Sequence, residues 1–586
     1  MSFCITSGMD IGSEKGYKKY GDIFYKFNVC YEPSELLEKK SNNKLRIVKA
    51  LVFSPKSSEL LNININSDIL INVLGNYFII EYDLDNRKIT YATDMNASEP
   101  LFYYSYGDKF AISDNLWEIV NVIKPTFVDL DVNNIREQAL FAYPLFNGTI
   151  LKNVYYASPA TINVYNMDTK LTISNRYYQI EYLPTGNISL NQAIEKMDQI
   201  LNKAFKQIKK RYPDKVFGVG LSGGLDSRII PHYALQNGMK LKSFIIGEKK
   251  PRKLFLSRDH KSARQLSQIY KLDHVELEYN SLSFEKKQLI DIKQNPSGGS
   301  QIFIINKDQF NFDILLTGAS GMIVGSEIPV NINSASDDQL LQMILCHCSK
   351  IRYVSLFRDR VNRVMKELFN IKWENKVNNP SWITRIDPEK TRETAQEKIK
   401  TFIYDRKKHS SANLDIFEEY FIYFLGSRNR YGAFESISGR KKAVSIWFPF
   451  MFKETMNWKK EWFLDRKALK QLICIKTPEV KNIRSQNHQL AIGEVDKLKI
   501  KKIIALIEFL IRGGGTGGNE RWVNRREFKY FSDKVMANNT QWFYNIFDIA
   551  NVYKTIRKEQ PRFFEHLVKI KGVLDVIEKN EYIDFL

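Results

Sequence analysis

At 586 residues the chain is too long for one compact core, so two or three domains are expected. With 44% hydrophobic and 13% aromatic residues, its composition excludes a chain that is disordered over most of its length. A net charge of +21 would suit an anionic partner, but the basic residues recur as scattered pairs such as Lys39-Lys40, Lys249-Lys250 and Lys501-Lys502, which favours solvated lysines over a nucleic-acid surface.

The opening segment, Met1–Tyr20, lacks the basic-then-apolar pattern of a secretory signal. No apolar run reaches the roughly 18 residues of a membrane span, so no membrane insertion is expected. From there to about residue 180 the chain reads as β-rich. Apolar runs at Ile69–Leu74, Tyr77–Tyr82, Ile89–Ala92 and Leu101–Tyr104 are separated by turn signals at Gly75-Asn76, Asp85-Asn86 and Gly107-Asp108. After Ser189 the period changes: Ala193, Ile194, Met197, Ile200, Leu201 and Phe205 fall at helical spacing.

Val216–Leu221 then reads as a buried strand, and Arg228–Asn237 as a helix closing at Gly238. Strands at Leu241–Ile246, His274–Leu277 and Ile314–Leu316, with a helix at Ser257–Tyr270, predict an open parallel sheet. The remainder reads as mainly helical, with one flexible-looking stretch at Arg512–Asn519. Five cysteines (Cys4, Cys30, Cys346, Cys348, Cys474), odd in number and unevenly placed, fit reduced thiols and a cytoplasmic location. The spacing Cys346-His347-Cys348 is too tight for a zinc chelate.

Between the first strand of that sheet and its helix lies Ser222-Gly223-Gly224-Leu225-Asp226-Ser227. Gly223 and Gly224 let backbone N–H groups approach an anion with no Cβ in the way, and the helix dipole adds partial positive charge there. Ser222 and Ser227 offer hydroxyl donors, and Asp226 an oxygen ligand for Mg²⁺. An ordinary strand-to-helix turn also uses Ser, Gly and Asp, but six such residues directly after an apolar strand favour the anion site.

This loop resembles the pyrophosphate-loop signature of the ATP pyrophosphatases, a group that includes GMP synthetase, NAD synthetase, tRNA thiolases, lysidine synthetases and asparagine synthetase. The flanks favour the last. Gly75–Asp83, Asp94, Glu99–Tyr104, Gly148–Val154 and Ser158-Pro159-Ala160 resemble the asparagine synthetase N-terminal domain, and Phe448-Pro449-Phe450-Met451 sits where that family has Pro-Phe-Leu-Asp. The resemblance covers about residues 70 to 490 and implies an α/β protein. Residues 1–185 would form a degenerate, Ntn-hydrolase-like (class II amidotransferase-like) αββα domain, and residues 186–586 a pyrophosphate-loop synthetase domain with a helical C-terminal part. It implies ATP and Mg²⁺ as cofactors, with ATP held by Leu221, Ser222, Gly223, Gly224, Asp226, Ser227 and Gly318 and the metal by Asp226.

The chain departs from the family in three places. Glutamine-hydrolysing members expose a cysteine after removal of Met1, whereas here Met1-Ser2-Phe3-Cys4 would leave Ser2, a far weaker nucleophile than a thiolate. The acid expected after the Ile314–Leu316 strand is replaced by Met322, for which Glu327 is the candidate substitute. The expected catalytic lysine is replaced by Gln486, with Lys476 and Lys481 as candidates to reach in. Asp259 reads as a helix-start residue beside His260, and His274 as structural. Arg428 and Arg430 suit either anion binding or an exposed helix face.

The resemblance thus implies an ATP-dependent, AMP- and pyrophosphate-forming amide ligase or cyclase without its own glutaminase, similar to β-lactam synthetases, lasso-peptide cyclases and glycan-associated asparagine-synthetase-like proteins. Its partner would be a small molecule or peptide bearing a carboxylate and an amine acceptor, with a precursor peptide or partner protein as a further expectation. The alternatives are a catalytically weakened pseudoenzyme scaffold and an RNA-modifying pyrophosphate-loop enzyme. The second is disfavoured by the absence of a Cys-x-x-Cys pair and of a recognisable RNA-binding module.

Overall fold

The computed structural model describes residues 2–9, 17–28, 35–178, 188–247, 258–278, 284–297, 311–318, 393–401, 443–483, 541–547 and 561–580, apart from single residues and short stretches inside these ranges. The N-terminal part holds two six-stranded antiparallel sheets. Its strands are β1 (Ser2–Ser7), β2 (Lys18–Tyr20), β3 (Ile23–Asn28), β4 (Glu35–Lys40), β5 (Lys44–Ser54), β6 (Leu74–Asp83), β7 (Lys88–Thr93), β8 (Phe102–Tyr106), β9 (Lys109–Ser113), β10 (Val154–Tyr156), β11 (Thr161–Asn166) and β12 (Thr172–Arg176). One sheet runs β10-β8-β9-β1-β3-β2 and the other β12-β11-β7-β6-β5-β4.

Alternation explains how they stack. Leu45, Ile47, Phe78, Ile80, Tyr82, Ile89 and Tyr91 face Ile5, Ile23, Tyr25, Phe110 and Ile112 in one core between the sheets. The alternate residues of the second sheet's strands, among them Val48, Ala50, Tyr77 and Ile79, pack on its opposite face. A 3₁₀ turn at Ser57–Leu61 and the single-turn helix α1 (Ser67–Leu70) supply apolar residues to that layer. Helices α2 (Leu116–Ile123) and α3 (Val132–Phe141) follow, and α2 packs on the outer face of the first sheet.

The expected turns at Asp85-Asn86 and Gly107-Asp108 close the β6–β7 and β8–β9 hairpins. Two expectations are corrected. Ile69–Leu74 is not a strand except for Leu74, which opens β6: the Asn66 side chain accepts the Ile69 N–H at 3.0 Å and starts α1, which takes in Ile69 and Leu70. Gly75-Asn76 is not a turn but lies inside β6; Gly75 has φ +142°, and a Cβ there would lie 2.5 Å from the Leu51 carbonyl oxygen and from Val52 Cα, beside the irregular register of Val52 and Ser54.

The second part opens with α4 (Leu190–Arg211), started by a capping box in which Ser189 and Gln192 bond each other's backbone N–H. Its buried stripe includes the expected Ala193, Ile194, Met197, Leu201 and Phe205. The five-stranded sheet is wholly parallel, as expected: β13 (Val216–Gly220), β14 (Lys240–Gly247), β15 (Asp273–Glu278), β16 (Ile314–Thr317) and β17 (Ala443–Ser445). Helices α5 (Asp226–Gln236), α6 (Arg258–Ile269) and α7 (Phe284–Gln294) lie along its connections.

The strand order β15-β14-β13-β16-β17 reverses direction at β13, so the crevice beyond the ends of β13 and β16 is a topological switch point. Further on come α8 (Phe452–Thr455), α9 (Lys467–Lys476), α10 (Gln541–Ile546) and α11 (Pro561–Glu578). One apolar cluster runs from α2 through α4 and the parallel sheet to α11, and Trp117 Nε1 donates to the Ile292 carbonyl at 3.0 Å across the two parts. No helix among the described residues is long and apolar enough to cross a membrane.

Candidate functional site

Ser222–Ser227 leaves the end of β13 at that switch point and runs into α5. The loop is braced from within. The Ser222 N–H donates to Ser227 Oγ at 3.0 Å, the two serine hydroxyls lie 3.1 Å apart, and the Gly224 N–H donates to Ser222 Oγ at 3.1 Å. Ser227 Oγ in turn donates to the Gly220 carbonyl at 3.2 Å. Leu221 is buried and continues the strand through an N–H bond to the Phe244 carbonyl at 2.8 Å. These bonds fix the turn at the start of α5, where the Arg228 N–H donates to the Leu225 carbonyl at 3.0 Å and the helix start favours an anion.

Two side chains, Arg228 in the first turn of α5 and Asp259 in α6, close on Gly223. Arg228 is fully buried; its Nη2 donates to the Gly223 carbonyl at 3.1 Å and to the Ile483 carbonyl at 2.6 Å, and its Nη1 to the Val480 carbonyl at 3.1 Å. Burial pulls its guanidinium down to about 10, which leaves it charged at neutral pH. Asp259, in the first turn of α6, does more than start its own helix: its Oδ1 accepts the Gly223 N–H at 2.9 Å. Burial raises its pKa, with the Gly223 hydrogen bond opposing.

Asp226 is held on both oxygens. Trp447 Nε1, just past β17, donates to Oδ1 at 2.7 Å, and Arg466 Nη1, just before α9, lies 3.4 Å from Oδ2. Gly318, at the end of β16, backs the same carboxylate: a Cβ there would lie 2.5 Å from Asp226 Cβ and Cγ. Gly318 therefore shapes the site by leaving room for Asp226. In this arrangement the residues do not fit a magnesium ion. The indole occupies one oxygen as a pure donor, and a metal on the other would meet the guanidinium charge. Among the described residues no group of three or more His, Cys, Asp or Glu side chains could hold a metal.

The other sequence candidates fall as follows. Lys476 pairs with Asp198 Oδ2 at 2.5 Å, and Asp198 Oδ1 accepts Tyr233 Oη at 2.5 Å. Tyr233 lies seven residues along α5 from Asp226, about 10 Å along the axis, so this contact ties Lys476 to the α4–α5 face away from the loop. Lys481 sits in the turn that Arg228 grips, with its own carbonyl 3.5 Å from Arg228 Nη1. Glu327, Met322, Gln486, Arg428 and Arg430 lie outside the described residues. His274 in β15 has Nδ1 3.0 Å from Ser243 Oγ, and burial lowers the pKa of both His274 and His260.

In the N-terminal part Cys4 is fully buried in β1 between β3 and β9, and burial pushes its thiol far up. A neutral, enclosed thiol is inert as a nucleophile.

Sequence reading missed Arg228, Trp447 and Arg466. Only Trp447 carried a signal, since it directly precedes the Phe448–Met451 stretch.

No protein-family model and no curated protein sequence matches the chain. Solved structures similar to it include the NMN synthetase from Francisella tularensis, 21% identical, covering 16% of this chain and 38% of that one at a TM-score of 0.13. The glutamine phosphoribosylpyrophosphate amidotransferase from B. subtilis is 10% identical, with 47% and 84% covered and a TM-score of 0.20. An allosteric regulatory enzyme of purine biosynthesis is 13% identical, with 44% and 61% covered and a TM-score of 0.18. The chain thus spans well under half of the NMN synthetase, and likenesses at these scores carry no weight for function.

Proposed function

We propose that the protein is an ATP-dependent, AMP- and pyrophosphate-forming amide ligase or cyclase that activates a carboxylate and joins it to an amine. The observation that carries this reading is the Ser222–Ser227 loop itself: a glycine turn at the parallel sheet's switch point, opening the helix α5. The pyrophosphate end of ATP is assigned to that turn. The substrate carboxylate attacks the α-phosphorus and pyrophosphate leaves; the amine then attacks the acyl carbon, loses a proton, and AMP leaves. The chain contributes a braced turn at the opening of α5, with Arg466 held beside it on Asp226.

The N-terminal part, taken as residues 1–185, serves as a scaffold in this reading, and the enclosed Cys4 supports the view that the amine comes from the substrate and not from glutamine. A precursor peptide or a small molecule carrying both groups is the proposed substrate. A second reading, a nucleotide-binding scaffold with weakened chemistry, is favoured by the engagement of Asp226 with Trp447 and Arg466. Incubation with ATP and candidate carboxylates separates them: AMP and pyrophosphate in equal amounts support the ligase, binding without turnover supports the scaffold, and ADP as product contradicts both.

A further inference from the structure

We infer that Arg466 neutralises Asp226 beside the Ser222–Ser227 loop and offers a further N–H donor to a phosphate oxygen, so that the loop binds a pyrophosphate group without magnesium. The inference rests on the proposed phosphate role of the loop and deepens it.

Arg466 and Asp226 are 240 residues apart in sequence, and the backbone is bent to bring them together. Arg466 has φ 53° and ψ 42°, a left-handed conformation that side-chain-bearing residues rarely adopt. Such strain persists only where the surroundings impose it. Here the imposing element is α9, which starts at the next residue and buries Ala468, Leu469, Leu472 and Ile473. The result is a guanidinium delivered to Asp226 Oδ2 at 3.4 Å while keeping 27% of its side-chain surface open.

Asp226 is equally confined. Trp447, wholly buried, fixes Oδ1, and Gly318 lies so close behind the carboxylate that a Cβ there would meet Asp226 Cβ and Cγ at 2.5 Å. An anionic phosphate brought beside a bare carboxylate would be repelled; with Arg466 in place the carboxylate charge is offset. The guanidinium has five N–H donors in a rigid fork, and the bond to Oδ2 uses only one, so it can bond Asp226 and a phosphate oxygen together. Asp226 is then a positioning residue for Arg466. A dication competing for the same carboxylate would have to displace the guanidinium or sit against its charge.

The test is calorimetric titration of the full-length protein with inorganic pyrophosphate and with ATP, each in excess EDTA and in millimolar Mg²⁺. Wild-type affinity in EDTA is expected to match that in Mg²⁺. Arg466→Gln should weaken binding in EDTA about ten-fold or more, the scale of one lost charge-assisted bond, and should regain part of it with Mg²⁺ because Asp226 is released. Arg466→Lys should retain an intermediate affinity in EDTA. If Arg466→Gln does not fold, Trp447→Phe frees Oδ1 instead and should create a magnesium response that the wild type lacks. Wild-type binding that requires Mg²⁺, or Arg466→Gln binding as tightly as wild type in EDTA, overturns the inference while leaving the nucleotide reading intact. Absence of binding under both conditions removes both.

Discussion

Arg228 Nη2 donates to the Gly223 carbonyl at 3.1 Å, and the same nitrogen holds the Ile483 carbonyl at 2.6 Å, so one buried guanidinium fastens the glycine turn to the segment around Lys481. Replacement by methionine would keep most of the volume but leave those carbonyls buried and unsatisfied. Arg228→Met is expected to cost about 3–5 kcal/mol of stability, measured by denaturant unfolding, and Arg228→Lys nearly as much, because an ammonium cannot reproduce the fork. A loss under about 1 kcal/mol for Arg228→Met would show that this staple does not hold the site together.

Asp259 stands at the Gly223 N–H, where its charge opposes an incoming phosphate. Asp259→Asn keeps an acceptor oxygen and removes the charge, so pyrophosphate affinity should rise about ten-fold, as expected for a like charge removed near a partly buried anion. The pH dependence carries the same sign. Burial raises the pKa of Asp259 from its ordinary value of 3.8, with neighbouring His260 opposing. As pH falls through that raised value the carboxylate is neutralised and binding should tighten. Comparing wild type with Asp259→Asn between pH 7 and pH 4 subtracts the titration of the phosphate itself; the wild-type excess should vanish in the variant. Equal pH profiles for the two proteins would contradict the role given to Asp259.

The enclosed Cys4 leads to a third expectation. Its thiol is fully buried, whereas Cys474 is half-buried. Iodoacetamide on the native protein should modify Cys474 well before Cys4, and glutamine should yield no ammonia. Rapid Cys4 alkylation, or ammonia release that disappears in Cys4→Ala, would contradict the scaffold role of the N-terminal part.

What the sequence revealed was what short-range pattern encodes. The Ser222–Ser227 turn was legible because its glycines and hydroxyls directly follow an apolar strand, and α4 because Ala193, Ile194, Met197, Leu201 and Phe205 repeat at helical spacing. Ile69–Leu74 was misread because a run of apolar residues is shared by strands and short buried helices, and the Asn66 cap decided the outcome. Gly75 reads as a turn residue, yet it lies inside β6, where the neighbouring strand β5 approaches too closely for a Cβ. The contacts of Trp447 and Arg466 with Asp226 were invisible because they span 221 and 240 residues through the winding of the sheet, which no local period records. Lys476 was selected by resemblance, but its contact with Asp198 depends on how α9 packs against α4.

The central claim is that a phosphate tail binds in the Ser222–Ser227 turn, and ATP titration of wild type against Gly224→Val tests it most directly. Among the described residues a Cβ at Gly224 meets only Ser222 Oγ, at 3.2 Å, so the larger side chain should fill the cradle with little harm to the fold. Wild type should bind ATP, and Gly224→Val should lose binding about a hundred-fold while melting within a few degrees of wild type. ATP affinity unchanged in a folded Gly224→Val protein would contradict the account.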